Sequence, residues 1–177
     1  MTLIYVTGIS GAGKSTVREE LARRGYRALD TDEDEIAQWT HRLTGVVTPL
    51  LLEAHRAPEF LSENEWRAEP ERVRRLADES SGRMLFLCGH VGNEDDVWSY
   101  FDEVLFLSID QATMERRLTT RTAHNFGTKP HELELLLAWH AVIDDYYLRL
   151  GAIVVDASPV VERVVDEILR ILSDRLA

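Results

Sequence analysis

Gly8-Ile9-Ser10-Gly11-Ala12-Gly13-Lys14-Ser15-Thr16, GISGAGKST, is the stretch whose reading decides the fold. It matches G-x-x-x-x-G-K-[ST], the phosphate-binding loop pattern. The glycines at 8, 11 and 13 allow a tight loop whose backbone N–H groups point inward at phosphate oxygens. A helix starting at Lys14 adds the partial positive charge of its N-terminus. The pattern assigns Gly8, Ser10, Gly11, Ala12, Gly13, Lys14, Ser15 and Thr16 to nucleotide binding. Lys14 reaches the β- and γ-phosphates, and the Ser15 hydroxyl ligates Mg²⁺. A chance glycine-rich turn of this form arises in less than about 1% of chains of this length at average residue usage. Lys14 is also one of two lysines in the chain, with Lys129.

On either side of the loop the chain alternates apolar runs with helical patterns. Thr2–Thr7 reads as a buried strand. Lys14–Arg24 reads as a helix stopped by Gly25. Tyr26–Leu29, Arg83–Cys88, Glu103–Ile109 and Ala152–Val155 read as four more strands. Glu33–Leu43 and most of Thr48–Ser81 read as helical, with Ser62 and Glu65 at capping-box spacing. Asp110 caps a helix over Gln111–Arg121, and His131–Leu150 reads as one helix closed by Gly151. Ser158-Pro159 reads as the start of the last helix, whose valines, isoleucines and leucine from Val160 to Leu172 form one stripe. Short apolar strands separated by helices predict a five-stranded parallel sheet covered on both faces, a three-layer α/β fold. Ligands in such a sheet lie at the carboxyl ends of the strands.

The 177 residues predict one domain over 1–177. With 45% apolar and 29% charged residues there is material for a core. The net charge of −11 argues against a nucleic-acid surface. Cys88 has no second cysteine to pair with, which suits a reducing cytoplasm. The chain shows no apolar run of membrane-spanning length, and MTLIYVTG lacks the basic start of a signal peptide.

Asp30 and Asp32 stand just beyond the second strand, beside the phosphate loop. Two carboxylates spaced i, i+2 both face the cleft if the chain stays extended. One is then suited to Mg²⁺ and the other to accepting or fixing an acceptor hydroxyl. Glu33, Asp34 and Glu35 fit the first turn of a helix, where its dipole favours acids. The third strand has no aspartate at its end, which shifts the Mg²⁺ duty to Asp30 or Asp32, with Asp32 and Ser15 the chosen pair. Arg117 and Arg121 are i, i+4 on one helix face. Projected over the phosphates they neutralise the transferring group. The loop that follows, to Pro130, has the glycine and polar residues of a mobile lid over about 117–130.

The phosphate loop, Asp30-Thr31-Asp32 and the segment RLTTRTAHNFGTKP (117–130) together resemble the nucleoside monophosphate kinase-like group, which includes adenylate, shikimate and gluconate kinases. The resemblance implies a P-loop NTPase fold with a helical acceptor-binding insertion, here about 33–81, and a short lid. It implies that Asp30 and Asp32 divide the metal and acceptor duties. It places adenine against the loop holding Asp156 and Ser158, with Arg121 able to stack on the base. Shikimate kinases carry a glycine-rich, substrate-touching loop where this chain has Cys88–Asn93, so Gly89 and His90 are candidates for acceptor contact. His90 and Asn93 depart from a plain glycine run and count against shikimate itself. Arg42 is the chosen arginine among Trp39, His41, Arg42, His55, Arg56, Trp66 and Arg67, which the insertion offers to an acceptor.

The function read from these residues is ATP- and Mg²⁺-dependent phosphoryl transfer to a small molecule. A nucleoside monophosphate is slightly ahead of a shikimate- or gluconate-like hydroxyl. Lys14, Asp32, Arg117 and Arg121 are the catalytic set. The alternative is a nucleotide-hydrolysing switch or a nucleotide-binding regulatory protein; against a GTPase, no N-K-x-D guanine motif occurs.

Overall fold

The computed structural model describes residues 2–49, 57–80, 83–120, 127 and 129–176. Five strands form one sheet: β1 (Thr2–Gly8), β2 (Arg27–Asp30), β5 (Met84–Cys88), β6 (Glu103–Ser108) and β7 (Ile153–Asp156). Their order is β2-β5-β1-β6-β7, and every pairing is parallel. β1 is central, so its carboxyl end lies between those of β5 and β6.

Strand alternation sorts the apolar residues onto two cores. Ile4, Val6, Phe86, Leu105 and Leu107 face α1 (Lys14–Arg23), α5 (Gln111–Thr120) and α8 (Val161–Leu176). Leu3, Tyr5, Leu85, Leu87 and Phe106 face the other way, onto α3 (Pro70–Glu79) and onto Tyr147 of α7 (Ile143–Arg149). Each fully buried aliphatic side chain contributes about 1.5–3 kcal/mol. The three-layer parallel-sheet architecture expected from the sequence is therefore present.

The acceptor region departs from its helical expectation. Glu33–Leu43 contains strand β3 (Ala37–His41), which pairs antiparallel with β4 (Asn64–Ala68) and sets Trp39 opposite Trp66. The acids before it make a tight turn and no helix follows them. Glu35 takes a left-handed φ of 54°, and the Ile36 amide returns to the Thr31 carbonyl. The pattern misled because Trp and Thr are strand formers whose pairing partners lie beyond a loop. Between the two strands runs the short α2 (Pro58–Glu63), in which Ser62 Oγ donates to the Glu59 carbonyl. Glu65 belongs to β4, so the Ser62–Glu65 capping box does not form.

Two helix boundaries also move. The helix expected over His131–Leu150 breaks at Ala141–Val142 into α6 (Pro130–His140) and α7. The last helix begins after Val160, whose carbonyl accepts from Arg163 and Val164. Ser158 donates its amide to Asp156 Oδ1 at 2.9 Å, a local turn that displaces the expected cap. Asp110 caps α5 as expected, accepting the Thr113 amide at 2.8 Å. The remaining short helix, α4 (Glu94–Val97), leads into a 3-10 turn at Trp98–Tyr100.

Candidate active site

β1 ends in the Gly8–Thr16 loop, which folds back as a nest. The Ala12 amide donates to the Ile9 carbonyl at 3.0 Å. Gly13 closes the loop at φ 98°, ψ 23°, a left-handed conformation that glycine adopts without a Cβ penalty, and α1 starts at the next residue. Lys14 Nζ curls over the loop and donates to the Gly8 and Ile9 carbonyls at 2.7 and 3.1 Å. Ser15 and Thr16 follow on the first turn of α1 and line the same cleft.

That cleft, of about 2250 Å³, runs along the carboxyl ends of the strands. It collects most of the residues singled out from the sequence: Gly8–Thr16, Asp30, Asp32, Arg42, Gly89, His90, Arg117 and Ser158. Asp156 ends β7 beneath Ser158. Arg121, and the residues between it and Lys129 that were expected to form a lid, except Gly127, lie outside the described residues.

The two aspartates are not equivalent. Asp30 is buried, and its Oδ1 accepts the amides of Asp32 at 2.8 Å and Glu33 at 3.3 Å. It shapes the turn after β2, so the chain there is not the extended segment expected. Asp32 is exposed in the cleft. Its Oδ1 accepts from Thr31 Oγ1 at 2.9 Å and from Trp66 Nε1 at 3.0 Å. The hairpin thus reaches across to orient the carboxylate, through an indole no local pattern could connect to it. Gly89 sits against this turn so closely that a Cβ there would lie 1.9 Å from Thr31 Oγ1.

Arg117 spans two loops of the cleft. Its guanidinium donates to the carbonyls of Gly11 (3.3 Å), Ala12 (3.2 Å) and Ala157 (2.9 Å). It ties the phosphate loop to the loop after β7. Loss of solvent around it lowers its pKa from the ordinary arginine value. Arg42 is paired with Glu65 at 2.7 Å, and the same carboxylate takes Arg67 at 2.7 Å.

Sequence reasoning missed Glu94. This residue opens α4, is 6% exposed, and lines the cleft. Its carboxylate accepts from the phenols of Tyr5 (3.0 Å) and Tyr147 (2.8 and 2.7 Å) and from Thr7 Oγ1 (3.3 Å). Burial first, and then the neighbouring Glu94 charge, push both phenols well above their ordinary pKa, so they stay protonated donors. His90 Nδ1 stands 3.6 Å from the same carboxylate. A polar Thr7 and a Tyr5 inside an otherwise apolar first strand were the one local signal of a buried acid nearby.

Residues 4–134 match the AAA domain family. A shikimate kinase of Dechloromonas aromatica (strain RCB) is 30% identical over 165 residues, covering 89% of this chain and 82% of its own length. Among solved structures, shikimate kinase from Acinetobacter baumannii in complex with shikimate superposes with a TM-score of 0.64 at 20% identity, covering 100% of this chain and 96% of that one. A gluconokinase from Sinorhizobium meliloti 1021 follows at TM-score 0.61 and 20% identity, covering 99% and 93%. With its phosphate loop at the end of the central parallel strand, the chain belongs to the AAA domain family and is a P-loop kinase of the nucleoside monophosphate kinase-like group, transferring the phosphoryl group of ATP to a small-molecule acceptor.

Proposed function

We propose that the acceptor is a small molecule phosphorylated on a hydroxyl group, and that Asp32 positions that hydroxyl. The observation that carries this reading is the state of the Asp32 carboxylate. One oxygen is pinned by Thr31 and Trp66, and the side chain is open to the cleft that contains the phosphate loop. Held so, the second oxygen suits a hydroxyl that must point in line at the γ-phosphorus. The relative named shikimate kinase supports a hydroxyl acceptor. A nucleoside monophosphate fits less well, because a phosphate-bearing acceptor needs cations and Arg42 and Arg67 are paired with Glu65.

On the donor side the loop amides hold the phosphates, and Lys14 exchanges the Gly8 and Ile9 carbonyls for phosphate oxygens when nucleotide enters. Arg117, with its three carbonyl bonds, keeps the loop and the Ala157–Ser158 segment in register for the base. The Ser15 hydroxyl, a hard oxygen ligand, would suit Mg²⁺, and Asp32, given to the acceptor hydroxyl, would meet such an ion only through water. Among the described residues no three acids, histidines or cysteines cluster to hold a metal, which suits an ion bound chiefly through phosphates and water. Such an ion would supply charge neutralisation of the β- and γ-phosphates.

ADP release measured across polyols, sugar acids, shikimate, amino sugars, nucleosides and nucleoside monophosphates tests the proposal. A hydroxyl acceptor should raise release far above the rate with water. Asp32→Asn should then lower kcat on that acceptor by about 10²-fold or more. Full activity of Asp32→Asn, or stimulation by nucleoside monophosphates alone, would show the assignment wrong.

A further inference from the structure

We infer that the acceptor of this kinase carries a cationic group, most simply an amine on a polyhydroxylated scaffold. The inference rests on the hydroxyl-acceptor reading above and names the chemistry at the other end of the same molecule.

The first observation is the charge at the floor of the cleft. Glu94 is 6% exposed, and its carboxylate accepts hydrogen bonds from the neutral hydroxyls of Tyr5, Thr7 and Tyr147. These donors hold the carboxylate in place and do not cancel its charge. Among the described residues no lysine or arginine is ion-paired with it; the basic group beside it is His90, whose Nδ1 lies at 3.6 Å, within ion-pairing distance, and bears a charge only when protonated. A buried charge held this way projects a strong local potential into a ligand site. Asp32 and Asp95, both exposed, line the same cleft with the same sign.

A second, independent observation is how the hairpin's arginines are used. Arg42, the cleft arginine nearest in sequence to β3, is bridged to Glu65. Arg67 is held by Glu65 and by Asp96. Lys14 and Arg117 are committed to the phosphate loop, which leaves Arg149, at the exposed end of α7, as the other described arginine on the lining. A carboxylate or phosphate on the acceptor would meet carboxylates here, and of the nearby guanidiniums those of Arg42 and Arg67 are already engaged.

The third is aromatic. Trp39 and Trp66 pack edge to face at 5.5 Å and both line the cleft. Trp139, beside His90, and Tyr146 line it from α6 and α7. Ring faces attract cations, and their breadth suits the C–H face of a sugar or cyclitol ring. Negative floor, engaged arginines and aromatic walls favour the same class of ligand.

Three ring sugars of similar size separate the classes: glucosamine, glucose and glucuronate. Each is titrated by calorimetry into the protein loaded with Mg²⁺ and a non-hydrolysable ATP analogue, so that binding is read without turnover. The expected order is amine, then neutral sugar, then carboxylate, with at least about tenfold between the ends. Glu94→Gln should draw the amine-to-glucose ratio toward one. Because that amide sits among three buried hydroxyls and can disturb folding, Asp95→Asn, at an exposed position, should shrink the same ratio in a folded protein. Equal binding, binding of none of the three, or preference for glucuronate overturns the inference. The kinase reading fails by a different result, the absence of ADP release above the water rate with every acceptor class.

Discussion

At the scale of single residues, the cleft shows how position decides what a carboxylate does. Asp30 and Asp32 are two residues apart, yet one is buried in its own turn and the other is open to the cleft. The difference comes from the amides of Asp32 and Glu33, which fold back onto Asp30. Cys88 shows the same control over a thiol. It is fully buried at the end of β5, and burial, then the nearby Asp30 charge, push its pKa far above the ordinary thiol value. Since the thiolate is the reactive form, the raised pKa leaves almost none of it at neutral pH. Iodoacetamide at pH 8 should therefore leave Cys88 unmodified in the native protein and alkylate it in denaturant, as mass spectrometry would show. Rapid alkylation of the folded protein would contradict the burial.

At the scale of elements, α1 is anchored at both ends. Its first turn carries Lys14 and Ser15, and its last turns dock on α8. Arg24 pairs with Asp166 at 2.6 Å and donates to the Glu162 carbonyl at 2.9 Å. Glu20, on the preceding turn, takes both Arg23 and Arg24. Hydrogen bonds from Arg23 first, and then from Arg24, lower the Glu20 carboxyl to about 2. A depressed carboxyl adds stability that is fully present above its unfolded value and is lost as pH falls through the folded value. The loss should therefore fall between roughly pH 4.5 and pH 2. Glu20→Gln should lower stability at pH 7 and flatten that acid limb, measured by urea unfolding at several pH values. An acid limb identical in the variant would place the stabilisation elsewhere.

At the scale of the whole molecule, binding and stability are linked through the cleft. Nucleotide that binds only the folded chain at 100 times its Kd adds about 2.7 kcal/mol. For a chain of this size that corresponds to a rise in Tm of roughly 5–11 °C. Mg²⁺ and ATP should produce such a rise, and Lys14→Ala should remove most of it while leaving the unliganded Tm within a few degrees. A large loss of unliganded stability in Lys14→Ala would mean that the bonds to Gly8 and Ile9 hold the loop together, and that the lysine serves folding as well as phosphate.

The part of this protein that sequence alone determined is the part whose physics is local. GISGAGKST specifies a nest and a helix start within nine consecutive residues, and the runs Thr2–Thr7 and Glu103–Ile109 are apolar enough to be read as buried strands in isolation. The parallel sheet, with the phosphate-loop motif at the end of its central strand, follows from them. Tertiary structure decided what depends on distant partners. Trp39 lies in a strand because it meets Trp66 across a hairpin, and Asp32 is oriented because that same Trp66 donates to it from 34 positions away. Arg117 became a clamp between two loops only once α5 laid it across Gly11 and Ala157. Glu94 carries no motif. Its hydroxyl donors lie 89, 87 and 53 positions distant, and only the packing of β1 and α7 around the end of β5 brings them to one buried carboxylate.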